Sequence, residues 1–128
     1  MREIKFRAWH TVHKKMYEQK NIDVLLKNVN SDNIWKFMQF TGLKDKNGIA
    51  IYEGDMVSAA WVHHGEPGAP FKAFIFYNEH IGSFRIGYAS LGGGAQDEIY
   101  FRYQVEVIGN VFENREWYDE IINNKAAI

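Results

Sequence analysis

Apolar and polar residues alternate with a period of two along most of this chain, and the alternation predicts its strands. Near the start, Ile4, Phe6 and Ala8 alternate with Lys5 and Arg7, and Trp9 closes the run. Residues 10–14 read as a turn, and Lys15-Met16-Tyr17-Glu18 as the returning strand of a hairpin. Residues 34–40 predict another strand. At 71–77 both faces are apolar, with Phe71, Ala73, Ile75 and Tyr77 on one side and Phe74 and Phe76 on the other. A strand apolar on both sides belongs in the middle of a sheet. Phe84, Ile86 and Tyr88 mark its returning partner. A last long strand region runs from Ile99 to Phe112, with Gly109 expected at a bulge or a close crossing.

Two segments depart from that period. Ile22, Leu25, Leu26 and Val29 follow helical spacing, yet Asn21, Asn28, Asn30, Asp32 and Asn33 oppose a long helix, so a short helix or an irregular excursion is expected there. Trp117, Tyr118, Ile121 and Ile122 form the apolar stripe of a closing helix, with Asn114 as its expected cap and residues 123–125 as its stop. Residues 63–70 hold both prolines and read as a loop, as do residues 90–98 with Gly92-Gly93-Gly94.

Residues 40–57 organise the rest. Asn47-Gly48 supplies two residues that tolerate positive φ, which closes a hairpin. Ile49 and Ile51 then alternate with Ala50 and Tyr52. Glu53-Gly54-Asp55 makes a second turn, and a new strand begins at Met56-Val57 and runs to Val62. Many short strands divided by glycine turns predict a mainly β fold. The expected form is a small, strongly curved antiparallel barrel of the SH3-like kind, or a sandwich, with a short C-terminal helix.

The same stretch resembles a family signature. Thr41-Gly42-Leu43-Lys44-Asp45-Lys46-Asn47-Gly48, then Ile51-Tyr52-Glu53-Gly54-Asp55-Met56-Val57, are similar to the YopX family of small proteins encoded by phages and prophages. Ile4 to Trp9 and Val105 to Asn114 match in order, so the resemblance covers nearly the whole chain as one domain, residues 1–128. Ala50 departs from the polar residue more usual there, which touches only one strand's solvent face. The resemblance implies a fold and a phage or prophage origin. It implies no catalytic residues, because the family has no established activity.

Composition narrows the classes. The chain has 128 residues, which suits a single domain with one core. Aromatic residues make up 16%, favouring sheet. There is no cysteine, so disulfides and thiolate metal sites are impossible. No apolar run approaches the about 20 residues of a membrane helix, and the charged amino terminus is unlike a signal peptide. A cytosolic protein without membrane contact is therefore expected. The net charge of −1 lacks the basic excess usual in nucleic-acid binders.

Candidate chemistry is sparse. Asp45, Glu53 and Asp55 could form a carboxylate site, although acids beside glycine in turns usually bond to local N–H groups. His10 and His13 have H-x-x-H spacing and could join those carboxylates around a metal, in a hydrolase or nuclease. His63 and His64 are adjacent, and neighbours on a strand point to opposite faces. Gly92 to Gly94 matches no phosphate-binding motif. Ser58, Ser83 and Ser90 lack a nucleophile elbow. Lys5, Arg7, Lys14, Lys15, Lys44 and Lys46, with Trp35, Phe37, Tyr52, Trp61, Phe84, Tyr100 and Tyr103 as stacking platforms, could bind a nucleic acid. No residue stands out as catalytic, as a cofactor ligand or as a metal ligand, and no cofactor is implied. The expected function is a non-enzymatic module that binds a host or phage protein, or itself, through exposed aromatics and strand edges.

Overall fold

The computed structural model describes residues 3–18, 34–90, 93–97 and 103–123. The excursion expected at 19–33 lies outside the described residues. Among the described residues, ten strands and one helix follow one another: β1 (Phe6–His10), β2 (Lys15–Glu18), β3 (Trp35–Lys44), β4 (Ala50–Tyr52), β5 (Asp55–His63), β6 (Glu66–Pro67), β7 (Phe71–Asn78), β8 (Ser83–Ser90), β9 (Gly93–Asp97), β10 (Tyr103–Asn110) and α1 (Arg115–Ile122).

The strands form two antiparallel sheets, ordered β2-β1-β3-β4 and β10-β5-β7-β8-β9, with β6 added to β5. Together they curve into half a barrel with the C-terminal helix against it, so the mainly β, strongly curved architecture expected from the alternation is what forms. β7 lies between β5 and β8, the central position its two apolar faces predicted. Ala73 and Ile75 enter a core with Ile51, Val57, Ala59, Ile86 and Val105. Burying each isoleucine there contributes roughly 1.5–3 kcal/mol. On the opposite face, Phe74 meets Tyr118 of α1 edge-on, ring centres 4.9 Å apart.

Several local expectations change. The β3–β4 turn closes through the Gly48 N–H to the Asp45 carbonyl (3.0 Å) and the Asp45 N–H to the Ile49 carbonyl (2.8 Å). Only Gly48 has positive φ, at 81°, and Asn47 does not, so the turn is a helical-type turn followed by one left-handed glycine. The extra residue turns Ile49 outward, leaving it 53% exposed while Ile51 is buried. The loop expected at 90–98 contains β9, because Gly93 and Gly94 can fill a ladder that needs only main-chain groups, opposite Ser90 and Ala89. Part of the loop at 63–70 likewise forms β6. The ladder between β5 and β10 shifts register between Val107 and Gly109, the irregularity expected there.

Asn114 does not cap α1 with its side chain. Its Oδ1 instead accepts the Asn110 N–H (3.2 Å), while Asn110 Oδ1 accepts the N–H groups of Phe112 and Glu113. Within α1, Ile121 is buried but Ile122 is 51% exposed, so the buried stripe ends at Ile121.

Candidate functional site

Asp45, in the β3–β4 turn, is buried. Its Oδ1 accepts the N–H groups of Asn47 (2.8 Å) and Ile49 (2.9 Å), and its Oδ2 accepts that of Val107 on β10 (2.9 Å). Burial pushes this carboxyl up. The three N–H groups and Lys46 outweigh burial, so the acid is held below its ordinary value of 3.8. One side chain closes its own turn and ties that turn to a distant strand.

Asp55 opens β5 and is 1% exposed. Its Oδ2 accepts the Tyr52 N–H (2.8 Å), and its Oδ1 meets Arg7 Nη2 of β1 at 2.7 Å. The guanidinium lies 4.7 Å from the centre of the Tyr52 ring. Burial dominates here and raises the Asp55 carboxyl above its ordinary value, despite Arg7 and the Tyr52 N–H. Half-buried Glu53 is also raised by burial, although its Oε1 accepts the Gln39 N–H at 2.8 Å. The three acids therefore do not converge on a shared ligand position. Asp45 binds main chain, Asp55 binds an arginine, and Glu53 ties its turn to β3.

The histidines are engaged with one another. His10 Nδ1 accepts the His13 N–H (2.8 Å), and the two rings stack with centres 3.8 Å apart. The rings packed on His10 desolvate it and, with the charge of His13, hold it below 6.5. His63 ends β5 and His64 opens the β5–β6 turn, rings 4.2 Å apart. Among the described residues, no three His, Asp or Glu side chains gather to hold a metal ion. Three of the six candidate cations already face carboxylates: Lys5 with Glu3, Arg7 with Asp55, and Lys46 with Glu106. Lys14, Lys15 and Lys44 are exposed. Of the candidate stacking platforms, Tyr52 takes Arg7, Phe84 packs on the core, and Tyr100 lies outside the described residues. Trp35 meets Tyr17 and His10 edge-on.

An open groove of about 450 Å³ lies where the half-barrel fails to close. One wall is β3 from Trp35 to Met38, the other is β7 from Phe74 to Phe76, and Glu53-Gly54 lies at the junction. Val111, Phe112, Arg115 and Tyr118 complete it from the C-terminal turn and helix. The lining is mostly apolar and rich in aromatic rings, with Lys36, Glu53 and Arg115 as its charged groups. Phe112 is fixed by stacking on Trp9, ring centres 5.5 Å apart. Gly54, at φ 85°, lets Met38 into the groove floor: a Cβ there would come 2.9 Å from Met38 Sδ. The alternation singles out Trp35 and Phe37, and the second apolar face of β7 singles out Phe74 and Phe76. Nothing in sequence spacing joins them to Phe112 or Tyr118, because four separate segments meet here only in the fold.

A pocket of this size, apolar with few polar groups, has the composition of a binding site. The chain matches the YopX protein family over residues 5–117. It belongs to that family. It is also similar to a solved structure, the crystal structure of protein EF1440 from Enterococcus faecalis, with 28% sequence identity and a TM-score of 0.60. That likeness covers 91% of this chain and 98% of the other. No curated protein matches the chain. The family match takes in both acidic turns, the Arg7–Asp55 pair and most of the groove. Among the described residues, no helix is long and apolar enough to cross a membrane.

Proposed function

We propose that this YopX-family chain is a phage- or prophage-derived binding module that acts by holding a protein partner rather than by catalysis. The observation that carries this reading is the aromatic groove at the open seam of the half-barrel. Its occupant is a segment of a partner protein that inserts a large apolar side chain between Phe74, Phe76 and Phe112. Aromatic anchors in desolvated pockets supply most of the free energy of protein association. The volume of about 450 Å³ lies at the lower end of the roughly 300–1,000 Å³ typical of ligand pockets. That suits one or two side chains better than a large cofactor. The three acids considered for hydrolysis are committed to main-chain N–H groups and to Arg7, and His10 accepts the His13 N–H, which supports a binding role over a metal-assisted one.

The test is retention of proteins from nuclease-treated host lysate by immobilised wild type and by Phe76→Asp. This variant places a charge in the groove, and its melting temperature is measured in parallel. The expected result is a specific protein band lost with Phe76→Asp while the variant remains folded. A band retained equally by both would remove the groove from the reading. Retention only before nuclease treatment would replace the protein partner by a nucleic acid. Self-association shows instead as a concentration-dependent dimer of the purified chain.

A further inference from the structure

One wall of the groove is a strand edge. In an antiparallel ladder, the N–H and C=O of one residue point to the same side, and those of the next residue point to the other. On β3 the even residues face β1: the Phe40 N–H donates to the Lys5 carbonyl, and the Ile34 carbonyl accepts the Thr11 N–H. The odd residues face away. Gln39 exchanges bonds with Glu53 on that side, its N–H going to Glu53 Oε1 and its carbonyl accepting the Glu53 N–H. Beyond Gln39 the exchange stops. The β3–β4 ladder spans only Phe40 to Lys44, so the outward main-chain groups of Phe37 and Trp35 have no strand partner among the described residues. Both residues line the groove.

We infer that the groove receives its partner by strand addition: an extended peptide segment pairs with β3 at Trp35 and Phe37 and continues the β2-β1-β3 sheet into the open seam. This deepens the protein-binding reading and rests on it. An added strand would lie about 4.8 Å from β3 and satisfy main-chain groups that would otherwise be covered without a bond once the groove filled. Its side chains alternate between the two faces. Those on the helix side reach the aromatic floor at Phe112 and Tyr118. Lys36 is exposed and has no ion pair among the described residues, whereas Arg115 on the rim already pairs with Asp119 (3.1 Å) and lies over the Tyr118 ring. That leaves Lys36 as the groove cation open to a partner's carboxylate, and the single acid of the lining, Glu53, is one whose ionisation burial disfavours. The segment therefore carries an acidic residue beside its apolar anchor and no proline where it pairs with β3.

The probe is a display library of random dodecapeptides selected on the whole chain. Enriched peptides should show apolar residues at alternate positions with Asp or Glu adjacent. On binding such a peptide, the Trp35 and Phe37 amides should slow in hydrogen exchange by tenfold or more. Methylating the paired backbone nitrogens of the peptide should weaken binding at least tenfold. Phe37→Pro and Phe37→Ala both lose the ring, but only the proline also loses the outward N–H, a change an unpaired edge tolerates. Binding at least fivefold weaker with proline than with alanine is expected. Equal binding by the two variants, together with indifference to N-methylation, would overturn strand addition while leaving groove docking intact. A library that yields no peptide whose binding Phe76→Asp abolishes would overturn strand addition as well, and the lysate experiment separately decides whether the groove binds anything.

Discussion

The two acidic turns of residues 40–57 look alike in sequence and differ in what holds them. Each joins two strands, and each pairs an aspartate with a left-handed glycine. At the first, Asp45 is surrounded by N–H donors and its carboxyl is lowered. At the second, Asp55 is more completely buried, and its carboxyl is raised even beside Arg7. A carboxylate that accepts several main-chain bonds is stabilised where it sits. One that depends on a single buried cation carries a desolvation cost that the cation only partly offsets. The same residue type in the same kind of turn thus strengthens the fold by ionising in one place and opposes its own ionisation in the other.

The largest effect that separates the turns is expected from Arg7→Met. It leaves Asp55 buried without its cation, which costs about 3–5 kcal/mol by urea unfolding at neutral pH. Adding Asp55→Asn should recover part of that loss, because the orphaned charge is gone. If Arg7→Met costs no more than a typical surface change, the ion pair is not what holds β1 to β5.

The glycines sharpen the contrast. Gly48→Ala meets nothing within 4 Å and bears only the strain of positive φ, about 1–2 kcal/mol. Gly54→Ala bears the same strain and also displaces the Met38 thioether, whose Sδ lies 2.9 Å from the new Cβ, adding roughly 0.5–1.5 kcal/mol for the rotamer change. Thermal unfolding of both should place Gly54→Ala clearly below Gly48→Ala. The reverse order would mean that the groove floor yields freely.

Glu53→Gln should have the smallest effect, within about 1 kcal/mol, since the amide oxygen can still accept the Gln39 N–H. Its pH signature is distinctive. A carboxyl raised in the fold stays neutral longer there than in the unfolded chain, so its contribution is most favourable in acid and declines as pH rises from 4.5 through the folded value. The glutamine variant should lose that decline, so it gains on wild type as pH rises across this window. A difference that does not change with pH would contradict the raised carboxyl.

Much of this architecture was legible because period-two alternation and the two glycine turns act locally. The central place of β7 follows from Phe74 and Phe76 opposing Ala73 and Ile75. The strand at Gly93–Asp97 was not legible, since glycines carry no side-chain pattern and the pairing is supplied by β8. Asn114 departs from its expected role for a related reason: Asn fits a helix cap, but here the turn from Asn110 to Asn114 claims its oxygen first. The groove was the least legible feature. Its walls come from β3, β7 and the segment before α1, and it exists because the sheets do not close, which no local pattern records. The carboxylates of 40–57 stand out as candidate chemistry because the partners that commit them beyond their own turns, the Val107 N–H for Asp45, the Gln39 N–H for Glu53 and the Arg7 guanidinium for Asp55, come from other strands.

The central claim is that these acids serve the fold, which leaves the seam as the place where the chain makes contact. Asp45→Asn tests it most directly, with unfolding free energy followed against pH. Replacing one accepting oxygen by an amide donor leaves a buried N–H unsatisfied, a cost of about 1–3 kcal/mol at neutral pH. Because the folded carboxyl is lowered, its stabilisation is complete above 3.8 and is lost as pH falls through the folded value. The gap between wild type and variant should therefore be constant near neutrality and narrow in acid. A variant as stable as wild type at neutral pH, or a gap that does not narrow in acid, would show that the Asp45 charge does not hold the turn and would return it to the list of candidate site residues.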